Sequence, residues 1–186
     1  MADDSRIGFD LQNRVLDSEH PSLVDRYYQS KYIIDSQSRK DEDLCILTHS
    51  NRICIVTVSE WHPIIREGKT VSKINFEVDG MNRLDNKISG KGKRGAQLLT
   101  PSSALCEVSC TDESRYTITC GVRAQLIEAN ENLVKAPQLL TQKPQTEGYI
   151  AIVLPKLGDF ESATKNLLSR EEYKKIRFSG TLSNAT

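Results

Sequence analysis

A mainly β fold, a compact antiparallel sandwich or barrel followed by helices, is what this 186-residue sequence predicts. Three observations carry that expectation. Between Asp43 and Leu154 the apolar residues come in short runs rich in β-branched and aromatic types. Turn signals separate these runs at short intervals, which favours antiparallel pairing over βαβ units. After Pro155 the apolar period changes from strand-like to helical.

In chain order, Met1 to His20 mix charges and small polar residues without a lasting period and read as a mostly disordered arm. In PSLVDRYYQSKYIID, Leu23, Tyr27 and Tyr28 form one face of a short helix or else wrap onto the domain as an extended segment. Strands are expected at Leu44–Leu47, Arg52–Val58, Lys73–Val78, Leu105–Cys110 and Arg115–Cys120. A further strand begins near Leu126, and another spans Tyr149–Leu154. The breaks are Asn51, Gly68, Asp79-Gly80, Gly90 to Gly95, Pro101-Ser-Ser, Asp112-Glu-Ser and Asn130-Glu-Asn. From Asp159 to Arg177, Phe160, Ala163, Leu167, Tyr173 and Ile176 recur at helical spacing, and Ser169-x-x-Glu172 is a capping box. Two short helices are expected there, ending a domain over residues 21–178 ahead of a loose tail, 179–186.

Composition narrows the function. Lys+Arg and Asp+Glu both number 25, which excludes a globally basic nucleic-acid binder and confines any electrostatic contact to a local patch. No apolar run approaches the roughly 20 residues that cross a bilayer, and the start of the chain is polar and acidic, so a soluble, unsecreted protein with no membrane partner is expected. Five cysteines, an odd number, point to reduced thiols and no disulfides.

Each chemical motif meets a bland competitor. Cys106 and Cys110 share a strand face with Val108, and Cys54 with Val56 and Val58, as small buried hydrophobes do. No Cys-x-x-Cys occurs, and His49 and His62 lack the paired spacing of a zinc site, so no metal site is expected. Gly68-Lys69-Thr70 resembles the end of a P-loop, but Pro63 stands where the first glycine belongs and has no amide hydrogen. The sequence there reads as a turn between strands. Gly-x-Ser-x-Gly is absent, and Glu171-Glu172 reads as a solvated helix face, so no catalytic residue is nominated. One charge feature stands out: Lys87, Lys91, Lys93 and Arg94 are interleaved with Gly90, Gly92 and Gly95, and no acid lies among them. A solvated loop competes with an anion-binding contact there, and without an aromatic residue for base stacking a protein face fits better than nucleic acid.

Residues Gly121 to Leu133 (GVRAQLIEANENL), then Pro137-Gln-Leu, Pro144 and Glu147-Gly-Tyr-Ile150, resemble the second half of the glycine cleavage H-protein, a lipoyl carrier. The resemblance implies a flattened antiparallel β-barrel sandwich with a C-terminal helix. It also implies that a modified lysine would stand on the hairpin just before Gly121, and here that hairpin reads Cys110 to Tyr116 (CTDESRY), without lysine. Arg115 cannot form the amide to lipoate. The expectation is a carrier shell without its arm and without a cofactor.

A longer set of motifs resembles the abitram family, also called simiate, the actin-binding transcription modulators. These are PSLVDRY (21–27), HSNRIC (49–54), Gly68-Lys-Thr70, NKISGK (86–91), KRGAQ (93–97), Asn130-Glu-Asn132 and TEGYIA (146–151). The resemblance implies a non-enzymatic protein that binds monomeric or filamentous actin, influences filament assembly, and occurs in nuclear speckles and in actin-rich cytoplasm and cell projections. Lys87, Lys91, Lys93 and Arg94 are the expected actin or anion contact. The alternatives are a carrier that attaches its group outside the hairpin, at Lys91 or Lys93, and a scaffold that reaches actin only through other proteins.

Overall fold

A computed structural model describes residues 22–179, so the expected N-terminal arm (1–20) and most of the tail lie outside the described residues. Both alternatives for residues 23–28 occur in succession. Helix α1 (Leu23–Tyr27), capped by the Ser22 hydroxyl, runs straight into strand β1 (Tyr28–Ile33). The expected apolar face does not form, since Leu23 and Tyr27 are 69% and 61% exposed and only Tyr28 is half-buried.

Strands β2 (Leu44–His49) and β3 (Cys54–Val58) are followed by a single helical turn, α2 (Pro63–Arg66), where the sequence suggested only a turn. His62 creates it: its Nδ1 accepts from the Ile64 N–H, and Pro63 at the first helical position has no donor to satisfy. The strand expected over Lys73–Val78 breaks at buried Phe76 into β4 (Val71–Asn75) and β5 (Glu77–Val78). The Asn75 carboxamide bonds the backbone of Glu77, a local turn that competes with the ladder. Asp79 and Gly80, both at positive φ, then form the two-residue turn into β6 (Met81–Asn82).

The chain continues through β7 (Leu98–Leu99), β8 (Ala104–Cys110), β9 (Arg115–Thr119), β10 (Ala124–Ala129) and the helical turns α3 (Asn132–Lys135) and α4 (Leu139–Gln142). It ends with β11 (Ala151–Leu154), α5 (Phe160–Lys165), β12 (Leu168–Ser169) and α6 (Arg170–Ser179). The capping box is made: the Ser169 N–H and hydroxyl donate to Glu172 at 2.8 and 2.7 Å, and the Glu172 N–H returns to the Ser169 hydroxyl at 3.3 Å. Ile176, one of the apolar residues at helical spacing, is 46% exposed. Ser179, assigned to the tail, closes α6.

All strand pairs are antiparallel. One sheet has the order β12-β1-β2-β3-β11-β10-β7, a second has β4-β8-β9, and β5-β6 form a ribbon. The two larger sheets face each other as a mainly β sandwich across one apolar cluster. Ile46, Val56, Leu126 and Val153 come from the first sheet, and Ile74, Cys106, Val108 and Ile118 from the second. Strand β2 reads as a continuous apolar run because both of its faces are covered. Leu44 and Ile46 point into the sandwich, whereas Cys45 and Leu47 meet Tyr32 and Tyr173 on the outside, where α6 lies. All five cysteines are buried and free; the burial of Cys54, Cys106 and Cys110 is the one their strand spacing suggested.

Candidate functional site

The four sequence-nominated cations fall on the loop that links β6 to β7. A clamp at its base fixes the loop. Arg83, only 4% exposed, donates through Nε to the Ala104 carbonyl at 2.9 Å and through Nη1 to Gln97 Oε1 at 2.8 Å. Asn86 Oδ1 accepts from the Gln97 N–H at 2.9 Å, and Asn86 Nδ2 donates to the Leu126 carbonyl at 2.7 Å. Gln97 Nε2 reaches back to the Asn82 carbonyl, and the Gln97 carbonyl accepts from the Leu126 N–H. The register of β10 against β11 shifts between Leu126 and Glu128, which frees carbonyls of this segment for Asn86.

Above the clamp the chain doubles back. Ser89 and Arg94 exchange backbone hydrogen bonds of 2.9 and 3.0 Å, and Lys93 N–H closes the turn onto the Gly90 carbonyl. Gly95, at φ +83°, has the Lys87 carbonyl where a Cβ would lie, at 2.4 Å. Only glycine fits that crossing. Lys91, Lys93 and Arg94 are thereby gathered on one turn with Lys87 at its root. Lys87, Lys91 and Arg94 are exposed and Lys93 is half-buried. None of the four forms an ion pair among the described residues. Clustered, unneutralised and solvated cations of this kind attract anionic surfaces with a strength that falls as salt rises. Sequence reasoning found the cations and missed the clamp. Asn86 and Gln97 fall within NKISGK (86–91) and KRGAQ (93–97), but nothing local in the sequence marks Arg83 as buried.

The carrier-hairpin position differs in kind. Strands β8 and β9 are joined through Thr111 to Ser114, and the tip carries Asp112 and Glu113. Lys69 lies beside this turn, with its ammonium 2.6 Å from Asp112 and 3.2 Å from Glu67. That pairing holds the Asp112 carboxyl below the usual carboxylate range and raises Lys69. The P-loop look-alike is therefore a turn at Gly68, φ +61°, followed by an ion-paired lysine.

A separate set of shifted groups belongs to the core. Burial pushes the thiols of Cys45, Cys54 and Cys120 up to about 12 and lowers His62 to about 4. Among the described residues, no three of His, Cys, Asp and Glu gather as a metal-binding group.

No family model matches the chain. It is 49% identical to Protein Abitram of Xenopus tropicalis over 162 residues, covering 87% of this chain and 88% of that one. It is 47% identical to Protein Abitram of Homo sapiens over 157 residues, covering 84% and 87%. With Protein Abitram of Drosophila melanogaster it shares 33% over 156 residues, covering 84% and 70%. Among solved structures, the glycine cleavage system H protein from Mycobacterium marinum superposes with a TM-score of 0.55 at 14% identity, covering 81% of this chain and 97% of that one. That likeness concerns the fold alone.

Proposed function

This chain belongs to the Abitram family, and on that premise we propose that it is a non-enzymatic actin-binding protein that influences filament assembly and is linked to the regulation of transcription. One observation carries the contact: Lys87, Lys91, Lys93 and Arg94 are presented without an ion pair among the described residues, on a loop whose base is pinned by Arg83, Asn86 and Gln97. Such a loop meets an acidic protein face without first paying to order itself. Its positions of action are then the nucleus, including speckles, and actin-rich cytoplasm. No cofactor takes part.

Co-sedimentation with actin filaments at two salt concentrations is the test. Pelleting should fall as salt rises and should be lost when the four cations are changed together to glutamate, while the melting curve stays put. Salt-independent pelleting, or pelleting that survives the charge reversal, removes this loop from the contact. Gel filtration with monomeric actin separates the two forms of the partner.

A carrier role is the second reading, favoured by the H-protein-like fold and by the exposed amine of Lys91. Against it, the hairpin Cys110 to Tyr116 offers no lysine, and Lys69 beside it is held in ion pairs. An intact mass equal to the unmodified chain for protein purified from its own cells excludes it.

A further inference from the structure

We infer that the open corner of the seven-stranded sheet, where β7, β10 and β11 meet, is a docking site for an acidic peptide segment carrying an apolar anchor residue. The register places Leu98 opposite Gln125, and Gln125 opposite Leu154, so these three side chains share the outer face of the sheet. Their inward neighbours Leu99 and Ala124 are buried in the sandwich. At this corner lies a cavity of about 110 Å³ whose lining takes in Leu99 and Ala124 as well as the outer-face residues Leu98 and Gln125 and the cations Arg123 and Lys156. An apolar cavity of ~150 Å³ accommodates benzene, so this one has room for a single aliphatic side chain.

Two features select the occupant. Leu98, in the lining, is 69% exposed, and Leu157, next in sequence to the lining residue Lys156, is 79% exposed; both are large apolar groups left to water. Arg123 and Lys156 form no ion pair among the described residues. The chain reaches Leu98 from Arg94 in four residues, at most ~14 Å of extended backbone, so the basic loop continues the same positive field. Asp159 is the only acid in the lining, and its N–H donates to the Lys156 carbonyl at 3.0 Å. A partner segment with an aliphatic residue flanked by carboxylates matches both the hollow and its rim. The corner stands independently of the actin reading, because its apolar half lies outside the basic loop.

The test titrates the isotope-labelled full chain with a capped, alternating Asp/Glu peptide holding two central leucines, and with its twin in which serine replaces leucine. The leucine peptide should shift the backbone amides of Leu98, Arg123 and Gln125 and bind at least about fivefold tighter than the serine peptide, the scale of a few partly buried methylenes. Leu98→Ser and Arg123→Glu should each cost about fivefold or more while melting unchanged. Equal affinity for the two peptides, or full affinity in Leu98→Ser, overturns the site and leaves only charge attraction to the loop. Absence of shifts at the corner up to millimolar peptide overturns it as well. Filament co-sedimentation of Leu98→Ser reports on actin separately, since that variant keeps every cation of the loop.

Discussion

The two ends of the seven-stranded sheet are finished in opposite ways. At the β1 end, α6 covers the outer face, and Tyr173 stacks on Tyr32 with ring centroids 4.1 Å apart. Asp43, fully buried, accepts hydrogen bonds from Arg177 and from the Tyr173 hydroxyl, and Arg177 also pairs with Asp35 and Asp41. At the β7 end the outer face has no such cover among the described residues. Leu98 is exposed, and Lys87, Lys91, Lys93, Arg94, Arg123 and Lys156 have no carboxylate partner there. Charge is therefore consumed in holding the fold at one end and kept available at the other. The same residue type, arginine, is a structural tie at Arg177 and Arg83 and is left to solvent at Arg94. What separates the roles is whether its surroundings supply acceptors.

The largest effect should come from breaking the covered end. Arg177→Met leaves Asp43 buried with its charge uncompensated and should cost about 3–5 kcal/mol, read as a lower urea midpoint. Pairing it with Asp43→Asn should recover part of that loss, because no buried charge then remains. A double variant as unstable as the sum of the two singles would mean that the residues do not act as a pair.

Next in size is an acid sensitivity centred on a buried histidine. His62, 0% exposed, accepts the Ile64 N–H through Nδ1 and packs edge-on against Tyr116 at 5.1 Å. Burial depresses its pKa to about 4 from an ordinary 6.5. The unfolded chain therefore binds a proton that the folded chain refuses between those values. Stability should be fully present above about pH 6.5 and should fall toward pH 4, with a slope of at most ~1.4 kcal/mol per pH unit for one proton. His62→Asn, which can still accept the Ile64 N–H, should flatten that window in denaturation curves taken at several pH values. An unchanged slope would assign the loss to other groups. Carboxylates with lowered pKa, such as Asp35 and Asp112, add their own losses at lower pH, with the same sign.

How much of this was legible follows from the range of the interactions involved. The β runs, the Asp79-Gly80 turn, the Ser169 to Glu172 capping box and the buried cysteines were readable because each depends on neighbours within a few residues. The break at Phe76 and the strands β7 and β12 were not. Two-residue strands carry no period, and they exist only because β10 and β1 offer them an edge. The covering of the β1 end was half visible: the apolar run at Leu44–Leu47 signals burial on both faces, but not that Tyr173, 130 residues away from Asp43, supplies the cover. For the site, the cations were evident as a cluster. The clamp was not, because Arg83 makes its bonds 14 and 21 residues onward, to Gln97 and Ala104.

At the open end the effects on stability should be small and local. Gly95→Ala places a Cβ 2.4 Å from the Lys87 carbonyl at a φ that favours glycine, so the turn must shift, at roughly 1–2 kcal/mol. Hydrogen exchange at Ser89 and Arg94 should rise while exchange in β2 and β3 stays slow. Smallest of all, reversing Lys93 and Arg94 to glutamate should change stability by no more than about 0.5 kcal/mol, because no ion pair among the described residues is broken. The contrast with Arg177→Met is the sharpest form of the comparison: two cations lost at one end should cost less than one at the other. A large destabilisation from the Lys93 and Arg94 reversal would mean that the loop's charges are already satisfied within the fold, and the field on which the proposed contact rests would be gone with them.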